Sequence, residues 1–298
     1  ICMTTSLTQV DKVYHKKNAI WPFTVVGRPP QEDTSFGALI HELAGDTIKM
    51  ELPGVKSVHA VDASGVHPLL FAIGSERYTP YVKERTPAEI LTQANHILGF
   101  GQMSLAKFLF IAAEEDNRDL QVNHEQSFLH HILERVQWSR DLHFHTKTSM
   151  DTLDYSSEVL NSGSKVVVAA AGNKCRSLQT EFSPPENLPN GLFRISVVAP
   201  GILAISCNSF DTYAQAKEEV YEWGIAIKEI LSDAMNSFPL ILLTDDADFV
   251  AENYHNFLWT TFTRANPSHD IYGIDSFTEF KHWGCNGSLM IDTRIKPH

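Results

Sequence analysis

The feature that most restricts how this 298-residue chain can fold is an internal repeat. Residues 127–142 align without a gap to 256–271, and five of the 16 positions are identical: Phe128/Phe257, Leu129/Leu258, Arg135/Arg264, Ser139/Ser268 and Asp141/Asp270. Average composition gives roughly one identity in 16 by chance. Further on, Gly163-Ser164 matches Gly287-Ser288. The chain therefore reads as a duplicated unit of about 120 residues. Two unrelated α/β units with a chance match are the competing explanation.

The hydrophobic pattern gives both units the same order of elements. In the first, Val55–Val61 and Pro68–Ile73 read as strands and 87–107 as a helix with Pro87 in its first turn. Phe108–Ala113 reads as a buried strand ending in Glu114-Glu115-Asp116, followed by a helix over 122–135 and short strands at Leu142–His145 and Lys165–Ala170. In the second, strands at Leu192–Val198 and Ile202–Cys207 precede a helix over 213–235. A buried strand at Leu240–Leu243 then ends in Asp245-Asp246-Ala247-Asp248, before a helix over 249–263 and strands at Ile271–Ile274 and Ser288–Ile291. Leu178–Pro189, with Pro184, Pro185 and Pro189, reads as the join. Ahead of both units, residues 1–26 read as extended until Gly27-Arg28-Pro29-Pro30 stops the strand. Apolar residues at 36, 39, 40 and 43 then predict a helix over 34–50, with Gln31–Ser35 supplying acids and an N-cap. The expected fold is α/β: two tandem, duplicated domains with mixed sheets, 51–180 and 181–298, behind an N-terminal segment 1–33 and a connecting helix 34–50.

Composition narrows the function. The chain is 43% apolar and 20% charged, which is ordinary for a globular protein. A net charge of −12 repels phosphate backbones and argues against nucleic acid as a partner. No apolar run reaches the roughly 18 residues of a membrane span. Cys2, Cys175, Cys207 and Cys285 form no CxxC pair and read as reduced thiols of a cytoplasmic protein, each a small buried apolar residue. The opening Ile1-Cys2-Met3 lacks a signal-peptide pattern, and the simplest expectation is a piece of a longer protein.

Several constellations are candidates for chemistry. Asp245, Asp246 and Asp248 follow a buried strand, as carboxylates holding Mn²⁺ or Mg²⁺ often do, and a metal-dependent nucleotide-sugar transferase is the alternative function. The first unit has Glu114-Glu115-Asp116 there, which favours a helix cap over metal binding. His130 and His131 point about 100° apart on a helix and do not easily share a metal. His143 and His145 share a strand face, while His41-Glu42 lacks the second His of a zincin helix. Gly99-Phe100-Gly101 reads as a helix break or close packing, not a phosphate loop. Arg135 and Arg264 each precede an Asp by six residues, Asp141 and Asp270, and a bidentate bridge is expected in both units. A non-enzymatic α/β scaffold is a further alternative.

Phe23-Thr-Val-Val-Gly-Arg-Pro-Pro-Gln-Glu-Asp33 resembles a segment of the UbiD-family decarboxylases, where a strand ends in Gly-Arg-Pro-Pro before a long helix. Leu240–Asp248 followed by Phe257-Leu-Trp-Thr-Thr-Phe-Thr-Arg-Ala-Asn-Pro267 looks like that family's C-terminal strand, acidic turn, helix and Thr-Arg-x-x-Pro turn. Gly163-Ser164-Lys165 is similar to its late Gly-Ser-Lys, and Gly287-Ser288-Leu289 lacks the Lys. The resemblance implies the C-terminal portion of a carboxy-lyase that decarboxylates aromatic or α,β-unsaturated acids without oxidation, in ubiquinone or menaquinone biosynthesis. It implies prenylated FMN with Mn²⁺ and K⁺ for the parent enzyme, and no cofactor bound to this piece. The family's Glu-Gly-Pro-Phe-Gly stretch is absent from the sequence, so no catalytic residue is assigned and the catalytic acids and Arg are expected upstream. Residues 1–33 would be remnant strands of the split-barrel cofactor domain, and the α/β units an oligomerising lid, giving a homo-oligomer. By position, Phe36, Met150 and Thr152 match the family's substrate-cavity side.

Overall fold

The computed structural model describes residues 9–22, 27–31, 34, 35, 37, 39, 50–78, 81, 83–157 and 159–296. Two five-stranded mixed sheets dominate it. The first holds β1 (Val55–Ala60), β2 (Leu69–Gly74), β3 (Phe108–Ala113), β4 (Leu142–Ser149) and β5 (Ser162–Ala170), in the order β1-β2-β3-β5-β4. The second holds β6 (Leu192–Ala199), β7 (Ile202–Cys207), β8 (Leu240–Thr244) and β9 (Ile271–Gly273). After a separate hairpin, β10 (Ser276–Glu279) and β11 (His282–Cys285), it closes with β12 (Leu289–Asp292), in the order β6-β7-β8-β12-β9. Directions match strand for strand. The three strands after the first edge are parallel in each sheet, and both edge strands are antiparallel. β2, β3, β7 and β8 are buried along their whole length, which is why they read as continuous apolar runs.

Alternation along these strands sorts their side chains onto two faces. On the first sheet, Leu70, Ala72, Leu109 and Ile111 pack with Ile90, Ala94 and Ile97 of α1 (Glu89–Leu98). On the second, Leu203, Ile205, Ile241 and Leu243 pack with Val220, Trp223 and Ile227 of α3 (Tyr213–Leu231). The remaining faces meet in one core that both units build. It joins Phe71, Phe108 and Phe110 to Ala204, Leu240 and Leu242, with α2 (Glu125–Leu133) and α5 (Tyr254–Arg264) between them. Phe262 of α5 sets its ring 5.0 Å from Phe108 and 5.9 Å from Phe110. Trp138 Nε1 donates across the junction to Pro239 O at 2.8 Å, and Ser268 N donates to Ser164 Oγ at 2.8 Å.

The structure corrects several expected elements. The helix over 87–107 stops at Leu98, and a 3₁₀ turn over Gly101–Leu105 follows, because Phe100 is extended and Gly101 takes φ +51°. The helix over 213–235 ends at Leu231, where Ser232 at φ +43° turns the chain into 3₁₀. Residues 249–263 form two helices, α4 (Ala247–Glu252) and α5, because Asn253 is extended and caps α5 by accepting from Asn256 N. Residues 9–22 belong to no strand and are exposed; Phe23–Val26 and residues 1–8 lie outside the described residues. Those of the 34–50 segment that are described, 34, 35, 37, 39 and 50, are helical. Cys207 and Cys285 are buried free thiols, whereas Cys175 is exposed; Cys2 is not among the described residues.

The repeated Arg–Asp bridge is not made. Arg135 donates to His131 O, and Asp141 pairs with Arg140; Arg264 pairs with Asp245, and Asp270 with Lys296. The repeated Asp instead caps a turn. Asp141 Oδ2 accepts from Gln137 N at 2.8 Å, and Asp270 Oδ2 accepts from Asn266 N at 2.6 Å, at aligned positions. In both turns the Asp N–H returns a bond to the same residue's carbonyl at 2.9 Å. The shared identity thus preserves a backbone turn before the strand.

Candidate functional site

α5 is the strut along which the residues of interest are strung. At its start, buried Asn256 donates to Phe249 O at 2.7 Å and to Glu252 at 3.1 Å, which aims its Oδ1 outward to accept from Arg28. The Arg28 guanidinium also lies over the Phe249 ring, 5.7 Å from its centre. The Gly27–Gln31 turn is thereby pinned to the second unit. It is held internally by Gln31, whose Oε1 accepts from Gly27 N at 2.8 Å and whose N–H donates to Thr34 Oγ1 at 3.1 Å. Thr34 Oγ1 in turn donates to Asp62 Oδ2 at 3.1 Å, at a 3₁₀ turn (Asp62–Ser64) that packs on α5.

At the other end of α5 stands Lys107, fully buried just before β3. Its Nζ reaches Asp154 Oδ2 at 2.8 Å, Ser156 Oγ at 2.9 Å and Thr263 O at 3.4 Å, which occupies all three of its protons. Burial pushes the ammonium below its ordinary pKa, and the Asp154 charge opposes that. Nearby, His67 Nδ1 and Asp151 Oδ2 are 2.5 Å apart, and this bond holds the Asp151 carboxyl below the usual range. Asp151, Asp154 and Ser156 belong to the loop joining β4 to β5, so the His67–Asp151 hydrogen bond and the Lys107–Asp154 ion pair fasten its base to the N-terminal ends of β2 and β3. Its outer side chains, Leu153, Tyr155, Val159 and Leu160, stand exposed. Arg28, Lys107 and Nδ1 of His67 are all engaged by protein partners, so the arrangement positions a loop and a turn.

The family-matched positions separate in this setting. Met150 is buried, and its thioether lies against Gly163, its Sδ 2.5 Å from where a Cβ on Gly163 would lie. Thr152 sits on the same loop, and its Oγ1 accepts from Asn161 Nδ2 at 2.7 Å. Phe36 lies outside the described residues, as do His41 and Glu42.

The acidic turn after β8 does not gather its carboxylates. Asp246 caps α4 by accepting from Phe249 N, Asp248 pairs with Arg194 and Ser196, and Asp245 pairs with Arg264 and accepts from Ile295 N. Among the described residues, no three His, Cys, Asp or Glu side chains are placed to hold a metal ion. His130 faces Glu134 at 3.5 Å while His131 is buried, and His143 lies near His282, 5.8 Å between ring centres. Sequence reasoning missed Arg294. Its guanidinium donates to both Asp292 oxygens, to Glu219 and to Asn208 O, and lies over the rings of Phe210 and Trp223. With all three of its nitrogens engaged, it clamps α3 to the end of β12. No described helix is long and apolar enough to cross a membrane.

Residues 34–170 match the family model of the 3-octaprenyl-4-hydroxybenzoate carboxy-lyase C-terminal domain. The chain is 34% identical over 288 residues to a Chlamydia pneumoniae protein named as a subunit of 4-hydroxybenzoate decarboxylase, and the match covers 96% of this chain and 44% of that protein. It is also 34% identical over 286 residues to an uncharacterized protein of Chlamydia muridarum, covering 96% and 45%. The chain thus spans less than half the length of these curated relatives. Among solved structures, vanillic acid decarboxylase of Sedimentibacter hydroxybenzoicus in open form is similar with a TM-score of 0.40 and 16% identity, covering 56% of this chain and 33% of that one.

Proposed function

We propose that this chain, whose residues 34–170 match the family model of the 3-octaprenyl-4-hydroxybenzoate carboxy-lyase C-terminal domain, is the C-terminal portion of a larger UbiD-family carboxy-lyase acting on an aromatic or α,β-unsaturated acid. The observation that carries this reading is the 34% identity that runs through both units to a protein named as part of a 4-hydroxybenzoate decarboxylase. Prenylated FMN with Mn²⁺ and K⁺ would supply the electrophilic chemistry in the rest of such a parent. The described residues here show no built site for the flavin or its metal, so no chemical step is assigned to them. Their part is to position and to cover: Arg28 fixes the Gly-Arg-Pro-Pro turn, and the loop over 150–161 presents apolar side chains above a charge-locked base. A cover of that kind keeps water from a reactive centre. Phe36, Met150 and Thr152 are proposed for the substrate side of that cover.

The second unit is proposed to be a duplicate of the first. Identical strand order, and Asp141 and Asp270 capping aligned turns, support this origin. A cytoplasmic, homo-oligomeric enzyme of quinone biosynthesis is the setting proposed for the parent. The test is to produce the 298-residue chain and its full-length parent separately in a host that makes prenylated FMN, and to assay CO₂ release from 4-hydroxybenzoate and other aromatic acids. The parent should turn over and absorb as a flavoprotein, and the chain alone should do neither. Turnover by the chain alone, or a parent that decarboxylates none of these acids, would overturn the reading.

A further inference from the structure

The second unit carries an element that the first lacks. Where the first joins β4 to β5 by the loop over 150–161, the second inserts the β10–β11 hairpin between β9 and β12. The hairpin leans back onto the first unit. Cys285 N donates to Trp138 O at 3.3 Å, and His282 Nε2 donates to Ser139 O at 3.0 Å. Beside these bonds a groove of about 670 Å³ opens between the hairpin and β4, the edge strand of the first sheet. His143 and Phe144 line it from β4, His282 and Trp283 from β11, and Phe280 and Lys281 from the hairpin tip. These side chains are reachable: the first four are half-buried, Lys281 is exposed and Phe280 is 96% exposed.

Three features say what the groove would take. The first is its rings. Phe144 and Trp283 meet edge to face, 5.6 Å between centres, and His143 and His282 lie 5.8 Å apart. Such walls suit a flat aromatic group, and the volume is that of a small-molecule site. The second is charge. In a chain of net charge −12, no carboxylate lines this groove. Glu279, opposite His282 in the hairpin register, lies outside it. Lys281 makes no ion pair among the described residues, so its charge is available to an incoming anion. One lysine matches one negative charge, and the acidity of the rest of the chain disfavours a second. The third is strain. Phe280 and Lys281 take φ of +46° and +67°, where glycine or asparagine is the usual occupant. Holding both there costs stability and keeps an aromatic and a cationic side chain at the mouth of the groove.

We infer that this groove binds a planar aromatic monoanion, its ring against Trp283 and its charge matched by Lys281. The inference does not rest on the decarboxylase reading: the groove shares no residue with the Arg28 turn or the loop over 150–161, and its test reads binding and not CO₂ release. The ¹⁵N-labelled 298-residue chain is titrated with sodium 2-naphthoate at constant ionic strength, and the indole N–H resonances are followed, with Trp283→Phe identifying the Trp283 signal. A saturable shift at Trp283 is expected. Sodium acetate, which has the charge without the ring, should bind at least about tenfold more weakly, since it buries little apolar area. Uncharged 2-naphthalenemethanol should bind about two- to fivefold more weakly than the anion, the worth of an exposed ion pair. Lys281→Gln, at an exposed position that the core does not need, should weaken 2-naphthoate by the same factor and leave 2-naphthalenemethanol unchanged. No saturable shift at Trp283, acetate or the alcohol binding as tightly as 2-naphthoate, or undiminished binding of 2-naphthoate by Lys281→Gln would each overturn it.

Discussion

Replacing Asp154 by Asn tests the buried ion pair that fastens the loop over 150–161. Lys107 is fully buried and Asp154 is its only ion-pair partner among the described residues, at 2.8 Å. Removing one partner of such a pair strands the other charge and costs about 3–5 kcal/mol. The Asn keeps an oxygen for Ser156, so the loss falls on Lys107. Lys107→Met should cost less, because Asp154 retains the bonds from Ser156 N at 2.9 Å and Oγ at 2.6 Å. The double variant Lys107→Met/Asp154→Asn should recover much of the loss, with a coupling energy of about 2–3 kcal/mol. Urea unfolding followed by tryptophan fluorescence gives the four stabilities. The pH dependence adds a signed check. Burial lowers the Lys107 pKa, so between its folded value and about 10.4 the unfolded chain binds more protons and stability rises with pH. Losing Asp154 widens that window downward, so the deficit of Asp154→Asn should shrink from pH 7 to pH 9.5. A loss under about 1 kcal/mol, or single effects that simply add, would refute the reasoning.

Other perturbations have equally definite outcomes. Burial, with the Arg135 charge, holds His131 at about 4, against an ordinary 6.5. The unfolded chain therefore takes up the proton first, and stability falls as pH drops from 6.5 towards 4, by about 3 kcal/mol. His131→Gln should remove that slope in urea titrations at pH 7 and pH 4.5. Gly172 has φ +105°, and a Cβ there would collide with Arg85 O, so Gly172→Ala should lower stability by more than about 2 kcal/mol in the same assay. Asp141→Ala and Asp270→Ala should each lose a turn cap worth about 1 kcal/mol or more, with Asp270→Ala worse because it also removes the nearer ion-pair partner of buried Lys296, at 3.3 Å. Calorimetry of the wild-type chain should show one unfolding transition, because a single core joins both units; two separate transitions would contradict the shared core.

The sequence was informative where one physical rule dominates. β2, β3 and β8 are covered on both faces and so appear as unbroken apolar runs, and the common element order announced two sheets of one topology. The β10–β11 hairpin was invisible for a local reason. Its turn residues, Phe280 and Lys281, take φ of +46° and +67° without the Asn or Gly that normally signals such a turn. Asp141 and Asp270 were recognised as equivalent but read as ionic partners, because composition reports a charge and not the backbone N–H it accepts from. In the candidate site, Arg28 meets Asn256, 228 residues away, and nothing local foretells that pairing. Lys107 did carry a signal: a lone cation between Ala106 and Phe108, at the mouth of an apolar strand, has to find an anion inside the protein.

The ring of Phe262 resting on Phe108 and Phe110 has a consequence for chains of this build. A lone unit would leave that aromatic surface wet and would have to borrow a sister molecule to hide it. Here the borrowed piece is encoded in the same polypeptide, so the seal forms at first order and persists at any dilution. Attachment to further copies, where it occurs, is left to other surfaces.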